Sequence, residues 1–180
     1  MAIYLRQNLL CKKAEEGLTG CLKSPSGVMY KDLPENEAIG GYPTSLSLGE
    51  AQELDSEGRA VIVELESFVF IALYCPAVTV SDREIYRVKF LAVLEERVRN
   101  LLLAGKSVVL AGDLNICRAP IDTADPVGAA RRTQSGKFED TNARRWLKTM
   151  LIPEGRFVDT GRHMHPTREG MYTCMRLVHV

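Results

Sequence analysis

The residues best suited to chemistry stand at the end of one apolar run. Val108 to Ala111 leads into Gly112-Asp113-Leu114-Asn115. If the run is a strand, its two-residue period puts Asp113 and Asn115 on one side and Leu114 on the other. Gly112 would admit a close backbone or ligand. Asp113 could bind a hard divalent cation or take a proton from a water nucleophile. Asn115 could orient that water or hydrogen-bond a phosphate oxygen. The competing explanation is purely local, an Asx turn at a strand end. Tyr74, followed by Cys75-Pro76, closes a second apolar run, Phe68 to Tyr74. A Tyr hydroxyl at a strand mouth can donate to a phosphate, or it can be an ordinary half-buried aromatic. If the two strands run the same way, both ends share one rim.

Other patterns are weaker. Ala129 to Lys148 holds Arg131, Arg132, Lys137, Arg144, Arg145 and Lys148 against Glu139 and Asp140, a local excess of four positive charges. That segment can meet a phosphate backbone, or it can be a solvated face. His163 and His165 lack a carboxylate or Cys at metal-ligand spacing and read as surface or structural residues. Gly105-Lys106-Ser107 imitates the end of a phosphate loop. The earlier Gly is absent, and the order is helix then strand, the reverse of what that loop needs.

The elements that must position these residues are legible in outline. Ala2 to Leu10 reads as a short strand, and 20–49 as a long loop with turns. Arg59 to Leu65 and Phe68 to Tyr74 read as a hairpin. Ser81 and Glu84 form a capping box. Ile85, Val88, Leu91, Leu94, Val98 and Leu101 suggest one apolar helical face, ended by Gly105. Ser107 to Ala111 reads as a buried strand and 122–140 as loop. Thr141 to Leu151 reads as a helix capped by Asp140, with Trp146, Leu147, Met150 and Leu151 inward. Met171 to Val180 could be a last strand. This order predicts an α/β or α+β fold in one domain, 1–180.

Composition narrows the class. The 180 residues are 46% hydrophobic and 26% charged, with 23 basic and 23 acidic side chains, which excludes a globally basic coat protein and a disordered chain. Five Cys without regular spacing favour reduced intracellular thiols. The N-terminus shows no secretory pattern, and the most apolar stretch is too short to span a bilayer.

Taken in order, several segments resemble the exonuclease-endonuclease-phosphatase superfamily, and within it the fungal class II apurinic/apyrimidinic endonuclease 2 branch. They are Ala14 to Gly20 (AEEGLTG), Lys31 to Pro34 (KDLP), Ile39 to Pro43 (IGGYP) and Leu54 to Arg59 (LDSEGR). Tyr74 to Ala77 (YCPA), Gly112 to Ile116 (GDLNI), Pro120 to Asp122 (PID), His165-Pro166 and Gly170 to Cys174 (GMYTC) complete the set. The resemblance implies a four-layer α/β sandwich and Mg²⁺-dependent hydrolysis of DNA phosphodiesters, with Mn²⁺ as an alternative metal. The cut would fall 5′ to an abasic site or at a blocked 3′ end. By position it implies Tyr74, Asp113 and Asn115 as catalytic residues, Asp113 and Asn115 as metal-side residues, and a nuclear role in base excision repair.

The family's Asn and metal-binding Glu on its first two strands, its late Asp and its terminal Asp-His pair have no counterpart here. The expectation is therefore an incomplete domain. It is either such an endonuclease by descent, or a catalytically inactive fragment acting as a DNA-binding or interaction module. A protein partner would then cover exposed sheet edges. Other chemistry of the superfamily, phosphoinositide or RNA phosphodiester hydrolysis, is the remaining alternative.

Overall fold

The structure is a computed structural model that describes residues 1–78 and 81–171. It contains four strands and five helices among the described residues. They are β1 (Cys11–Glu16), α1 (Leu48–Ser56), β2 (Ala60–Leu65), β3 (Val69–Tyr74), α2 (Ser81–Leu103), β4 (Val108–Asp113), α3 (Pro126–Arg131), α4 (Asn142–Met150) and α5 (Thr160–Met164). Single 3-10 turns lie at Tyr30–Asp32 and Pro120–Asp122. The chain divides into two compact units, Met1–Asn115 and Ile116–Val180.

The first unit is built on one sheet, ordered β1-β2-β3-β4. The β1–β2 and β2–β3 pairs are antiparallel, and β3–β4 is parallel with α2 as the crossover. The hairpin of β2 and β3 arises because two β-branched and aromatic runs flank a short polar break, closed by Leu65 N–H donating to the Phe68 carbonyl at 2.9 Å. Alternation then buries Val69, Ile71 and Leu73 of β3 with Ala60 and Ile62 of β2. The opposite face carries Phe70 and Ala72 half-buried and ends on an exposed Tyr74.

Several elements differ from the sequence-based expectation. Residues 2–10 form no strand; the first strand is β1, and its polar composition (CKKAEE) hid it. It forms because β2 offers it a ladder and Glu15 a buried partner. The 20–49 region is largely loop, but α1 begins at its end, capped by Ser47 with Glu50 closing a capping box. Strand β4 runs to Asp113 and is partly exposed rather than buried, because it lies at the sheet edge.

Helix α2 buries Phe90, Leu91, Val93, Leu94, Arg97, Val98 and Leu101, while Ile85 and Val88 are exposed. The reason is phase. Steps of three residues drift around a helix of 3.6 residues per turn, so Ile85 and Leu94, nine residues apart, point about half a turn away from each other. The helix ends as its Gly105 suggested: φ is +77°, and Lys106 N–H donates back to the Leu101 carbonyl at 3.0 Å. The capping box expected at Ser81 lies outside the described side chains.

A buried charge pair ties the first unit together. Glu15 on β1 accepts Arg97 Nη2 from α2 at 2.8 Å, and it also accepts the Ile39 N–H and the Tyr42 hydroxyl at 2.6 Å each. The Arg97 guanidinium lies 4.1 Å from the Tyr42 ring centroid. Nearby, Asp55 of α1 accepts the Leu18 and Thr19 N–H groups and the Thr19 hydroxyl.

The second unit packs Ala129, Phe138, Ala143, Leu147, Met150 and Leu151. The expected 122–140 loop holds α3, capped by Asp125. Helix α4 is capped by Thr141, not Asp140, because the Thr141 hydroxyl reaches the Arg144 N–H at 3.2 Å. Asp140 pairs instead with Arg145. Helix α5, capped by Asp159, was not foreseen. Of the expected inward residues Trp146 is only half-buried. The last strand expected at Met171 to Val180 lies, beyond Met171, outside the described residues.

Candidate active site

The site grows from the parallel pairing of β3 and β4. Their register sets Leu73 beside Gly112 and Tyr74 beside Asp113, so both strands end together on one rim. Cys75 N–H donates to the Asp113 carbonyl at 2.8 Å and extends the ladder one step. Gly112 is required here. Its φ is +132°, and a Cβ would strike the Leu73 carbonyl.

Beyond Asp113 the strand stops, so the two-residue alternation expected for Asp113 and Asn115 does not extend to Asn115. Instead Asn115 N–H donates to Asp113 Oδ1 at 2.8 Å, the Asx turn that the local pattern allowed. Asn115 adopts φ +51°, and its side-chain Nδ2 donates to the Cys75 carbonyl at 2.8 Å. The turn therefore brings Asn115 back to the end of β3. Structural turn and polar cluster coexist: one N–H of the Asn115 amide is used in this tie, and an amide nitrogen has a second.

Tyr74 is 50% exposed. Its backbone N–H donates to the Arg59 carbonyl, and Arg59 Nη1 returns a bond to the Tyr74 carbonyl at 3.1 Å. The Arg59 guanidinium lies 5.3 Å from the Tyr74 ring centroid, within cation–π range. Glu57 accepts Arg59 Nε at 2.5 Å and both terminal nitrogens of Arg83 at 2.8 and 3.0 Å. Those guanidinium bonds, Arg83 first, hold the Glu57 carboxyl down to about 2. Burial pushes the Cys75 thiol up to about 12, so it is a neutral packing group and not a nucleophile.

No family model matches the chain. It is 38% identical over 166 residues to DNA-(apurinic or apyrimidinic site) endonuclease 2 of Schizosaccharomyces pombe, a match covering 90% of this chain and 31% of that protein. It is 48% identical over 123 residues to the protein of the same name from Saccharomyces cerevisiae, covering 63% of this chain and 24% of the relative. The Xenopus laevis AP endonuclease 2 catalytic domain superposes with a TM-score of 0.77 at 29% identity, covering 97% of this chain and 54% of that one. The chain is a homologue of the apurinic/apyrimidinic endonuclease 2 proteins. Its α/β fold is of the exonuclease-endonuclease-phosphatase type. It spans about a third or less of the length of these two curated fungal relatives.

Divalent metal is the group this family implies. Among the described residues no cluster of three His, Cys, Asp or Glu side chains could hold a metal ion. Asp113 offers one carboxylate, with one oxygen already in the Asx turn. A hard cation requires about six oxygens. The described residues therefore do not fit a self-contained Mg²⁺ site.

Four of the six cations of the basic segment have acidic or carbonyl partners within the chain, and three of these, Arg132, Arg145 and Lys148, remain exposed. Arg144 donates to the Cys117 and Phe138 carbonyls and stacks 3.8 Å from the Phe138 ring centroid. Arg145 pairs with Asp140, Arg132 with Asp125, and Lys148 with Glu154. Arg131 and Lys137 are exposed. His163 and His165 are exposed, in keeping with a surface role. No helix among the described residues is long and apolar enough to cross a membrane. Sequence reasoning gave no role to Glu57, Arg59 or Arg87. The first two lie in LDSEGR, a segment legible as a motif; Arg87 has no local signal.

Proposed function

We propose that this chain carries the phosphate-side part of a DNA phosphodiesterase site of the apurinic/apyrimidinic endonuclease type, acting in base excision repair in the nucleus. The observation that carries this is the parallel β3–β4 register, which sets Tyr74 and Asp113 side by side on one rim with Asn115 tied to it. The exposed Tyr74 hydroxyl donates to a non-bridging phosphate oxygen. The Asp113 carboxylate holds the attacking water and takes its proton. The second N–H of Asn115 steadies the phosphoryl group. Mg²⁺, or Mn²⁺, enters as a requirement of the reaction class: Asp113 and Asn115 are the chain's contribution, and they do not complete its shell. The substrate is DNA with an abasic site or a blocked 3′ end, and the two units are parts of one catalytic domain. The exposed sheet edge at β4 is where a protein partner would pack.

The test is incubation of the purified chain with an abasic duplex and Mg²⁺, beside Asp113→Ala. Cleavage that the substitution lowers at least about 100-fold supports the proposal. No cleavage by a folded chain favours the second reading, an inactive DNA-binding or interaction module. DNA binding that weakens with salt would support that module.

A further inference from the structure

We infer that Arg87 is the positioning residue for the Asp113–Asn115 turn. From α2 its Nη2 donates to the Asn115 carbonyl at 2.7 Å, across 28 residues of sequence. Asn115 is thereby held at three points. Its N–H is on Asp113 Oδ1, its Nδ2 is on the Cys75 carbonyl, and its carbonyl is on Arg87. The first two bonds are made by the turn and the end of β3. Among the described residues, the helix bond to the turn is that of Arg87.

The need for that anchor lies in the backbone. Asn115 is the one described non-glycine residue with positive φ, at +51°. Asn tolerates this conformation better than most residues but does not prefer it. A charged donor on the carbonyl is a stronger hydrogen bond than a neutral one. The side chain is partly buried, and its Nε is buried with no hydrogen-bond partner. Partial burial of a charge, offset by the Asn115 carbonyl and by the nearby Glu84 carboxylate, suits a fixed strut better than a surface cation.

The catalytic consequence rests on the proposed phosphodiesterase reading. With the carbonyl released, the Asn115 amide loses its fixed aim, and the chemical step slows more than substrate binding does. The structural claim stands apart from that reading and is tested separately. Exchange of the Asn115 backbone and side-chain N–H groups is followed by NMR in the full chain, in Arg87→Met and in Arg87→Lys. Unfolding temperatures are measured alongside.

Arg87→Met is expected to speed exchange at Asn115 about tenfold, the worth of one such bond. Arg87→Lys, which keeps the charge but not the planar fork, is expected to speed it only a few-fold, about a third of that effect. On an abasic duplex with Mg²⁺, kcat is expected to fall about tenfold in Arg87→Met with KM within about twofold, and Arg87→Lys to recover part of it. Unchanged exchange at Asn115 in a folded Arg87→Met chain overturns the inference. If that variant does not fold, Arg87→Lys with wild-type exchange and wild-type kcat overturns it. A wild-type chain that cleaves nothing defeats the proposed function, while exchange still decides the role of Arg87.

Discussion

At the scale of single residues, the rim depends on positions with no freedom to change. Gly112 is one: a side chain there meets the Leu73 carbonyl, and φ lies where L residues are strained. Gly112→Ala is expected to destabilise the chain by roughly 2–4 kcal/mol, read from urea unfolding. Glu57 is another, because it gathers Arg59 and Arg83 beside Tyr74. Its carboxyl is held at about 2 in the folded chain, below the ordinary 4.5. A depressed carboxyl contributes stability that is complete above the ordinary value and is lost as pH falls through the folded one. Stability is therefore expected to decline between about 4.5 and about 2, and Glu57→Gln to flatten part of that decline in a pH series of thermal melts. Glu50, held at about 2 by Lys89 and Ser47, accounts for part of the remaining slope.

At the scale of elements, α2 connects the two strands that carry the rim. Parallel neighbours need a crossover, and this helix supplies it while burying its middle and C-terminal turns. Leu94 is fully buried, whereas Ile85 is 74% exposed. Leu94→Ala is expected to cost about 2–5 kcal/mol, and Ile85→Ala less than about 0.5 kcal/mol, both from chemical denaturation. Equal costs would return the helix to the face drawn from three-residue spacing alone.

At the scale of the whole chain, the Glu15–Arg97 pair joins β1, the loop around Ile39 and Tyr42, and α2, with 82 residues between its partners. Such a pair is weak evidence of net stability, but removing one member strands the other in the interior. Arg97→Met is expected to cost about 3–5 kcal/mol of unfolding free energy, because Glu15 would keep its burial and lose its counter-charge. The second unit is held differently, by short capped helices and by pairs such as Arg118–Asp159 and Arg162–Asp122.

By itself the sequence determined what depends on neighbours in the chain. The β2–β3 hairpin and the C-terminus of α2 at Gly105 follow from local periodicity and turn residues, and Tyr74, Asp113 and Asn115 stand out as polar groups ending two apolar runs. Burial depends on partners far away in the chain, so the folded packing set it. It made a strand of the polar CKKAEE segment, turned Ile85 outward and set β4 at an edge. Of the cations expected to form a basic patch, Arg144 became an internal tie through the Cys117 carbonyl, while Arg132, Arg145 and Lys148 stay exposed in pairs with acidic neighbours. The parallel direction of β3 and β4 was open until the ladder was seen, and it alone put Tyr74 beside Asp113. Arg87 is the clearest case. Nothing around it in the helix marks it, since its partner is a backbone carbonyl that the fold brings from 28 residues away.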